Sequence, residues 1–177
     1  WDARLWNPGG NIFGRRAQQL LPSAESIASF NAIHHIGTYY HYDLAQGFKS
    51  LYLHCEHTCG GDPAWIGVVS PTIFKKTSLQ QNELTLRFAK DARSTAERIV
   101  DVGLSELAKR LNTQGAGILV FNPLQWSRNA VVTCTISLSL KNTGFSLRDS
   151  SLNKDVPFVL EDNGSRLVFP ANNLPAF

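Results

Sequence analysis

The first two thirds of the chain carry apolar residues at the spacing of amphipathic helices. Within residues 11–31 the positions that keep this spacing are Leu20, Ala24, Ile27 and Ala28. Pro22 interrupts the pattern, because proline lacks the backbone N–H that a helix interior uses. The sequence therefore predicts either one bent helix or a pair of helices here, and both alternatives stay open.

Two further helices are predicted downstream. Asp43 stands where a helix N-cap is expected, and the apolar face of the short helix that follows is Leu44, Phe48 and Leu51. A longer helix is predicted over residues 78–112, where apolar or small residues step by three or four for roughly nine turns. These positions are Phe88, Ala92, Ala96, Ile99, Gly103, Leu107 and Leu111. The small residues among them indicate close packing against other helices.

The last third has the pattern of β-strands. Between residues 132 and 140, apolar side chains alternate with Thr and Ser, which predicts one strand with an apolar and a polar face. Residues 118–121 are predicted to form a buried strand that ends at Asn122-Pro123. Shorter strands are predicted near residues 145–147, 158–160 and 167–169. Together these segments predict an antiparallel meander that belongs to a sandwich.

Composition and charge exclude some classes of protein. The 17 basic and 14 acidic residues are interspersed along the chain, so no basic stripe for nucleic acid is expected. No stretch approaches the roughly 18 apolar residues that span a bilayer, and the first residues do not open a signal peptide. Neither nucleic acid nor a membrane is therefore an expected partner, and a cytoplasmic location is favoured although the compartment is not defined.

The two ends of the sequence predict a piece of a longer polypeptide. The chain contains no methionine, even at position 1, and it opens with Trp1 and Trp6. It stops at Phe177 without a polar tail. We therefore expect the remainder of a parent polypeptide to be a partner of this chain.

The highest concentration of potential metal ligands and proton-transfer groups lies in residues 53–62, directly after an apolar helical run. The residues here that can bind zinc are His54, Cys55, His57 and Cys59. Their spacing matches no zinc-finger pattern, so three interpretations remain. The cluster forms a self-contained four-ligand site, contributes one ligand to a composite site, or is purely structural.

Carboxylates and aromatic residues flank this cluster. Glu56 and Asp62 are candidates for acid–base chemistry or for hydrogen bonds to hydroxyls, and equally for bonds to the backbone amides of their own loop. Upstream, three histidines lie among three tyrosines: His34, His35, Tyr39, Tyr40, His41 and Tyr42. Such residues form either a platform for a sugar or a hydrogen-bonded edge of a core.

Two segments carry a resemblance to a known family. Residues 56–61 read Glu-His-Thr-Cys-Gly-Gly, and residues 117–128 read Gly-Ile-Leu-Val-Phe-Asn-Pro-Leu-Gln-Trp-Ser-Arg. With the long helix between them, they resemble α-mannosidase-like enzymes of glycoside hydrolase family 38. The match to a Glu-His-Thr-Trp-Gly element departs at Cys59, which replaces the tryptophan. The resemblance extends over nearly the whole chain.

The resemblance implies a fold and a domain organisation. It implies a mixed α and β fold, in which the end of an α/β barrel and a helical bundle precede an antiparallel β-sandwich portion. Residues 1–77 would form the C-terminal part of the catalytic barrel with the His/Cys loop. Residues 78–114 would form the long helix of the bundle, and residues 115–177 the start of the β-sandwich domain.

The resemblance also implies a chemistry. Family members hydrolyse α-mannosides with retention, using a carboxylate nucleophile and a zinc ion that binds the sugar hydroxyls. His57 matches the late histidine of the zinc shell, and Thr58 replaces an aspartate that contacts the sugar. Substrate contacts are therefore expected from Glu56, Thr58 and Asp62, and zinc binding from His57. The nucleophile and the other zinc ligands would lie upstream, so this chain alone would be inactive.

Two other classes stay open beside the glycosidase. One is a non-catalytic carbohydrate-binding module, which would bind sugar at exposed aromatic residues without a metal. The other is a structural zinc-binding module, whose helix and loop region would unfold when the metal is removed.

Overall fold

Three helices and two small antiparallel sheets make up the residues that the computed structural model describes, which are 8–55, 70–111, 116–136 and 144–176. The mixed α and β class predicted from the sequence is therefore confirmed. The chain divides into two compact units, Trp1–Ala116 and Gly117–Phe177. The helices belong to the first unit and the strands to the second.

Helix α1 spans Pro8–Ile33 as one element, with Pro22 inside it, so the alternative of two separate helices is wrong. Proline in a helix interior costs about 3 kcal/mol through a lost hydrogen bond and a clash. Burial offsets this cost on both sides of the proline. The apolar residues buried there are Ala17, Leu21, Ala24, Ile27 and Ala28.

Helix α2 spans His41–Cys55 and begins before the predicted cap. Asp43 lies inside the first turn, so its assignment as the N-cap is wrong. Its carboxylate still suits the positive end of the helix dipole, and its Oδ1 atom lies 3.0 Å from a guanidinium nitrogen of Arg98. Of the predicted apolar face, Leu44 is buried in the core, whereas Phe48 is exposed.

Helix α3 spans Pro71–Arg110, a length of about 60 Å at 1.5 Å per residue. It begins at Pro71 rather than near residue 78, because Ser70 caps it. The backbone N–H of Ile73 donates to the Ser70 hydroxyl at 3.4 Å, and proline is suited to the first helical position. The helix is continuous across residue 77, which is the predicted boundary between the first two domains.

Contacts between the helices define their directions. The Phe13 ring of α1 lies beside Arg93 of α3, and farther along both helices Asn31 bonds to Gly103. These two helices therefore run in the same direction. Helix α2 runs the opposite way, because its end at His54 meets Thr85, whereas Asp43 near its start meets Arg98.

Small residues bring the three helices close together. The core between them consists of Ala17, Leu21, Ala24, Ala28, Leu44, Ala92, Ala96 and Ile99. Glycines continue this pattern: a Cβ atom on Gly47 would lie 2.8 Å from a methyl carbon of Leu21. The close packing predicted from the small residues of α3 is therefore present.

The described residues of the second unit form five strands. They are β1 (Arg128–Thr135), β2 (Leu147–Asp149), β3 (Lys154–Val156), β4 (Val159–Glu161) and β5 (Arg166–Leu174). The first sheet has the order β1-β5-β4, and the second is a hairpin of β2 and β3. All pairs are antiparallel, as predicted, but β1 pairs with β5 rather than with its neighbour in sequence, so the meander order is wrong.

One predicted strand is absent from the described residues of this unit. Residues 118–121 have no regular secondary structure, although they are apolar and were predicted as a buried strand. Strand β1 has the predicted alternation, with Val132 and Cys134 half-buried and Thr133 and Thr135 exposed. The continuation of that strand over residues 137–140 lies outside the described residues.

Among the described residues, no helix combines the length and apolar character that a membrane crossing requires.

Candidate functional site

The residues assigned to zinc and substrate lie in one segment of the chain. His57, Glu56, Thr58 and Asp62 all fall within residues 56–69, outside the described residues. Their assignments stay predictions. The structure describes helix α2, which ends at Cys55 just before this segment, and helix α3, which begins at Pro71 just after it.

His54, the first candidate ligand, lies in the contact between the three helices. It is 3% exposed, in the last turn of α2. Its Nδ1 atom lies 3.2 Å from the backbone carbonyl oxygen of Thr85 on α3. On the other side, its Nε2 atom faces Gly14 of α1 so closely that a Cβ atom there would lie 2.2 Å away. His54 therefore belongs to helix packing, with no room for a zinc ion between its ring and Gly14.

Cys55 follows as the last residue of α2. Its thiol is half-buried and free of any disulfide, and its sulfur accepts a hydrogen bond from Nε2 of Gln18 at 3.5 Å. This is a second contact between the end of α2 and helix α1, beside that of His54 with Gly14. Within the described parts of the chain, no three His, Cys, Asp or Glu side chains form a group that could hold a metal ion.

A polar cluster lies at the opposite end of α2, and we call Asn31, Tyr40, Gly103 and Glu106 the Asn31 cluster. Asn31 is 1% exposed, and its Nδ2 atom donates to the Gly103 carbonyl at 2.8 Å and to Oε2 of Glu106 at 3.5 Å. The Tyr40 hydroxyl donates to Oε1 of Glu106 at 3.5 Å. Desolvation by burial, followed by the charge of Glu106, raises the pKa of Tyr40.

This cluster also fixes the turn between α1 and α2. The Asn31 carbonyl accepts from the backbone N–H groups of Ile36 and Gly37, at 2.7 and 3.2 Å. A Cβ atom on Gly37 would lie 2.0 Å from Oε2 of Glu106, so any larger residue here would require the Glu106 carboxylate to shift. Neither Asn31 nor Glu106 is among the functional residues predicted from the sequence. The available signal was that Asn31 lies three residues after Ala28, on the apolar face of its helix.

The aromatic residues near this turn do not form a single group. Tyr40 packs against the core, whereas Tyr42 is 73% exposed. The Tyr39 hydroxyl donates to Oε1 of Glu25 at 3.2 Å, and its ring centre lies 6.5 Å from that of His41. Burial, with the hydrogen bond to Glu25 second, raises the pKa of Tyr39. Tyr40 therefore fits the interpretation of these residues as a hydrogen-bonded edge of the core, whereas the exposed Tyr42 does not.

Asn122, in the second segment of the family resemblance, organises a loop. Its buried Nδ2 atom donates to the carbonyl oxygens of Trp126 at 2.9 Å and Pro175 at 2.8 Å. Its Oδ1 atom accepts from the backbone N–H of Leu124 at 3.3 Å. Asn122 therefore joins the stretch before β1 to the end of the chain after β5, which is a structural role.

Comparison of the chain with known proteins found no matching family model, no matching curated protein and no matching solved structure.

Proposed function

We propose that this chain is part of a zinc-dependent retaining glycosidase that acts on α-mannosides. The observation that carries the proposal is the order of two sequence elements, residues 56–61 and residues 117–128, on either side of one long helix. His57 would bind zinc, and Glu56, Thr58 and Asp62 would contact the sugar. The remaining zinc ligands and the carboxylate nucleophile would come from upstream polypeptide, so the chain alone would be inactive.

The placement of His54 supports a composite zinc site over a self-contained one. A four-ligand site built from this cluster needs His54 to point toward His57 and the cysteines. Instead, Nδ1 of His54 lies at the Thr85 carbonyl and Nε2 lies against Gly14. His57 is the other histidine of the cluster, and we propose that it completes a shell begun elsewhere.

The chemistry expected of the site follows from its ligand types. Neutral imidazole suits zinc, and the bound ion would orient and polarise the sugar hydroxyls. Carboxylate and hydroxyl side chains from Glu56, Thr58 and Asp62 would bind the remaining hydroxyls. Retention requires two carboxyl groups about 5 Å apart, with one of them acting as nucleophile.

We also propose the finer architecture that the family resemblance implies. Residues 1–77 would complete the catalytic barrel, residues 78–114 would belong to a helical bundle, and residues 115–177 would begin a β-sandwich domain. The three helices and the antiparallel strands support the mixed α and β class, whereas helix α3 runs through the boundary at residue 77.

The test is zinc content and turnover of an aryl α-mannoside, measured on a longer polypeptide that includes the upstream segment. We expect one bound zinc ion and hydrolysis from the longer polypeptide, and no hydrolysis from this chain alone. His57→Ala should abolish both zinc binding and hydrolysis. His41→Ala is the matched control, since His41 is exposed at the start of α2, and it should retain both.

Other outcomes would support other functions. If His57→Ala leaves metal content and turnover unchanged, the glycosidase proposal is wrong. Unfolding of this chain by a chelator would instead indicate a structural zinc module. Binding of mannose to this chain without any metal dependence would indicate a carbohydrate-binding module.

A further inference from the structure

The turn between β4 and β5, residues 162–165, holds three successive residues in the left-handed region of backbone conformation. The φ angles are 47° at Asp162, 56° at Asn163 and 83° at Gly164. Glycine adopts this region without strain, and asparagine and aspartate do so more readily than other residues. Asn163 is exposed, whereas Gly164 is buried. The turn therefore presents a solvent-accessible amide side chain directly before a glycine.

An asparagine that precedes glycine can lose its side-chain amide without a cofactor. The backbone nitrogen of Gly164 gives its proton to a solvent base and attacks Cγ of Asn163, and the new N–Cγ bond closes a succinimide ring. The bond from Cγ to the side-chain nitrogen breaks, and this nitrogen takes a proton from solvent and leaves as ammonia. Water then opens the ring at either carbonyl, which gives aspartate or isoaspartate. Glycine favours the attack because it has no Cβ atom beside the nitrogen.

The closed turn does not have the geometry that this ring closure needs. The Cβ atom of Asn163 and the nitrogen of Gly164 must lie on the same side of the Cα–C bond, which in an L-residue requires a strongly negative ψ. Asn163 has ψ 29° instead. Two bonds hold this conformation, because the backbone N–H and the hydroxyl of Ser165 both donate to the Asp162 carbonyl, at 3.3 and 2.8 Å. The reaction therefore needs the turn to open first.

The product of this reaction would weaken the hairpin in which it forms. Glu161 and Asp162 already share the guanidinium of Arg166, at 3.5 and 3.8 Å. A carboxylate at position 163 adds another negative charge next to Asp162. Isoaspartate also lengthens the main chain, which disturbs the register of Glu161 with Arg166. Strand β4 has 3 residues, so a lost pair at its end removes much of its ladder.

We propose that Asn163 is a deamidation site that is gated by opening of the β4–β5 turn, a modification that is independent of the proposed glycosidase activity. Ser165 keeps the turn closed and the reaction slow in the folded chain. Once a carboxylate has formed, the turn opens more easily and the change does not reverse. Openings of this kind are local and do not require the remaining strands to unfold.

The test measures deamidation at two positions of the same chain, in the native state and in concentrated urea at mildly alkaline pH. Peptide mass spectrometry follows the loss of each amide. Asn153 is the matched control, because it is also exposed and has φ 53° in the turn between β2 and β3, but Lys154 follows it. Ser165→Ala removes the hydroxyl bond to Asp162 and keeps the Asn-Gly pair.

In urea we expect Asn163 to deamidate at least about tenfold faster than Asn153, because glycine follows Asn163 alone of the two. In the native chain the reaction at Asn163 should be at least about tenfold slower than in urea, since it waits for the turn to open. Ser165→Ala should speed the native reaction about 2- to 10-fold, as expected for one lost hydrogen bond, and leave the rate in urea unchanged.

Three results would overturn the proposal. Equal rates at positions 163 and 153 in urea would mean that the glycine does not create a reactive site. Equal rates at position 163 in the native chain and in urea would mean that the turn does not gate the reaction. A native rate that Ser165→Ala leaves unchanged would mean that the Ser165 bond is not the gate. If Ser165→Ala does not fold, the wild-type contrast between the native chain and urea still decides whether the turn protects Asn163.

Discussion

Gly103 of α3 lies directly against the Ile27 side chain of α1. A Cβ atom on Gly103 would be 2.9 Å from Cγ1 and 3.0 Å from Cγ2 of Ile27. Both atoms are near the backbone of a fully buried side chain, so neither can swing away. The packing of the helical unit therefore requires glycine at position 103, because any side chain there would clash with Ile27.

Gly103→Ala should destabilise the helical unit. Overpacking typically costs about 1–3 kcal/mol, while replacing glycine inside a helix returns up to about 1 kcal/mol. We expect a net loss of about 1–2 kcal/mol in the free energy of unfolding by urea. Gly117→Ala serves as control, because a Cβ atom there meets nothing within 4 Å. Equal stability of the two variants would contradict the close packing described here.

Asn31→Asp should destabilise the same unit more than Asn31→Ala does. The Asn31 amide nitrogen donates to the Gly103 carbonyl and lies 3.5 Å from the Glu106 carboxylate. Alanine only removes these bonds, at about 1–2 kcal/mol, whereas an ionised aspartate puts a buried negative charge beside two acceptors. The buried position beside these acceptors raises the pKa of the introduced aspartate, so the excess loss should shrink as the pH falls toward the unfolded value of about 4 and should be absent below it. Urea unfolding at pH 7 and pH 3.5 measures both effects, and an aspartate variant as stable as the alanine variant at pH 7 would argue against the cluster.

Regular spacing made the helices predictable, whereas the polar contacts between them were not. Alanine positions at steps of three or four residues are visible in the sequence, and they are buried as expected. Asn31 and Glu106 are 75 residues apart, and no local pattern indicates that they meet. His54 shows the same difficulty, because its residue type suggests a ligand and only its two neighbouring helices reveal a packing role.

The β unit shows a different source of error. An apolar run over residues 118–121 satisfies the composition of a strand, but a strand also needs a partner for its backbone hydrogen bonds. In the structure these residues have no regular secondary structure, and the Asn122 side chain that follows them bonds to the Trp126 and Pro175 carbonyls instead. Pairing partners are set by the whole chain, which is also why β1 lies beside β5 and not beside β2.

Tyr40 should make stability sensitive to alkaline pH. Burial and the Glu106 charge raise the pKa of Tyr40, so its neutral form is favoured in the folded protein. For a raised pKa the stabilising effect is complete below the unfolded value of about 10, and it is lost as the pH rises through the folded value. Tyr40→Phe should therefore reduce the loss of stability between pH 9 and pH 11, as measured by urea unfolding. Tyr42→Phe, on an exposed tyrosine, is the control, and identical alkaline profiles for wild type and Tyr40→Phe would refute the effect.

Asn122→Asp should destabilise the second unit although it changes almost no volume. The Asn122 amide nitrogen donates to two carbonyl oxygens at 2.8–2.9 Å, from Pro175 and Trp126. An ionised carboxylate at that position would face these acceptors without a proton to donate. We expect a loss of at least about 2 kcal/mol at pH 7, since a buried and unpaired charged group costs more than a lost neutral hydrogen bond. Asn129→Asp is the control on an exposed asparagine that only accepts a bond, from the Asn173 N–H. If both variants unfold at the same urea concentration, Asn122 does not have the role assigned to it.

Cys134 should react slowly with an alkylating reagent while β1 is folded. Its side chain lies on the half-buried face of the strand, paired with Leu167 of β5, and burial raises the pKa of its thiol. Because the thiolate is the nucleophile, a higher pKa leaves less of the reactive form at a given pH. Thr133→Cys places a second thiol on the exposed face of the same strand, two residues away.

In that variant, iodoacetamide at pH 8 should label position 133 at least about tenfold faster than Cys134, as followed by peptide mass spectrometry. Unfolding in urea should remove the difference, because both thiols then meet the same solvent. Because both thiols lie in the same strand, a difference between their labelling rates in the folded protein reports their burial rather than their neighbours in sequence. Equal labelling rates in the folded protein would mean that β1 does not turn its Cys134 face inward, and the register of the β1–β5 pair would have to be revised.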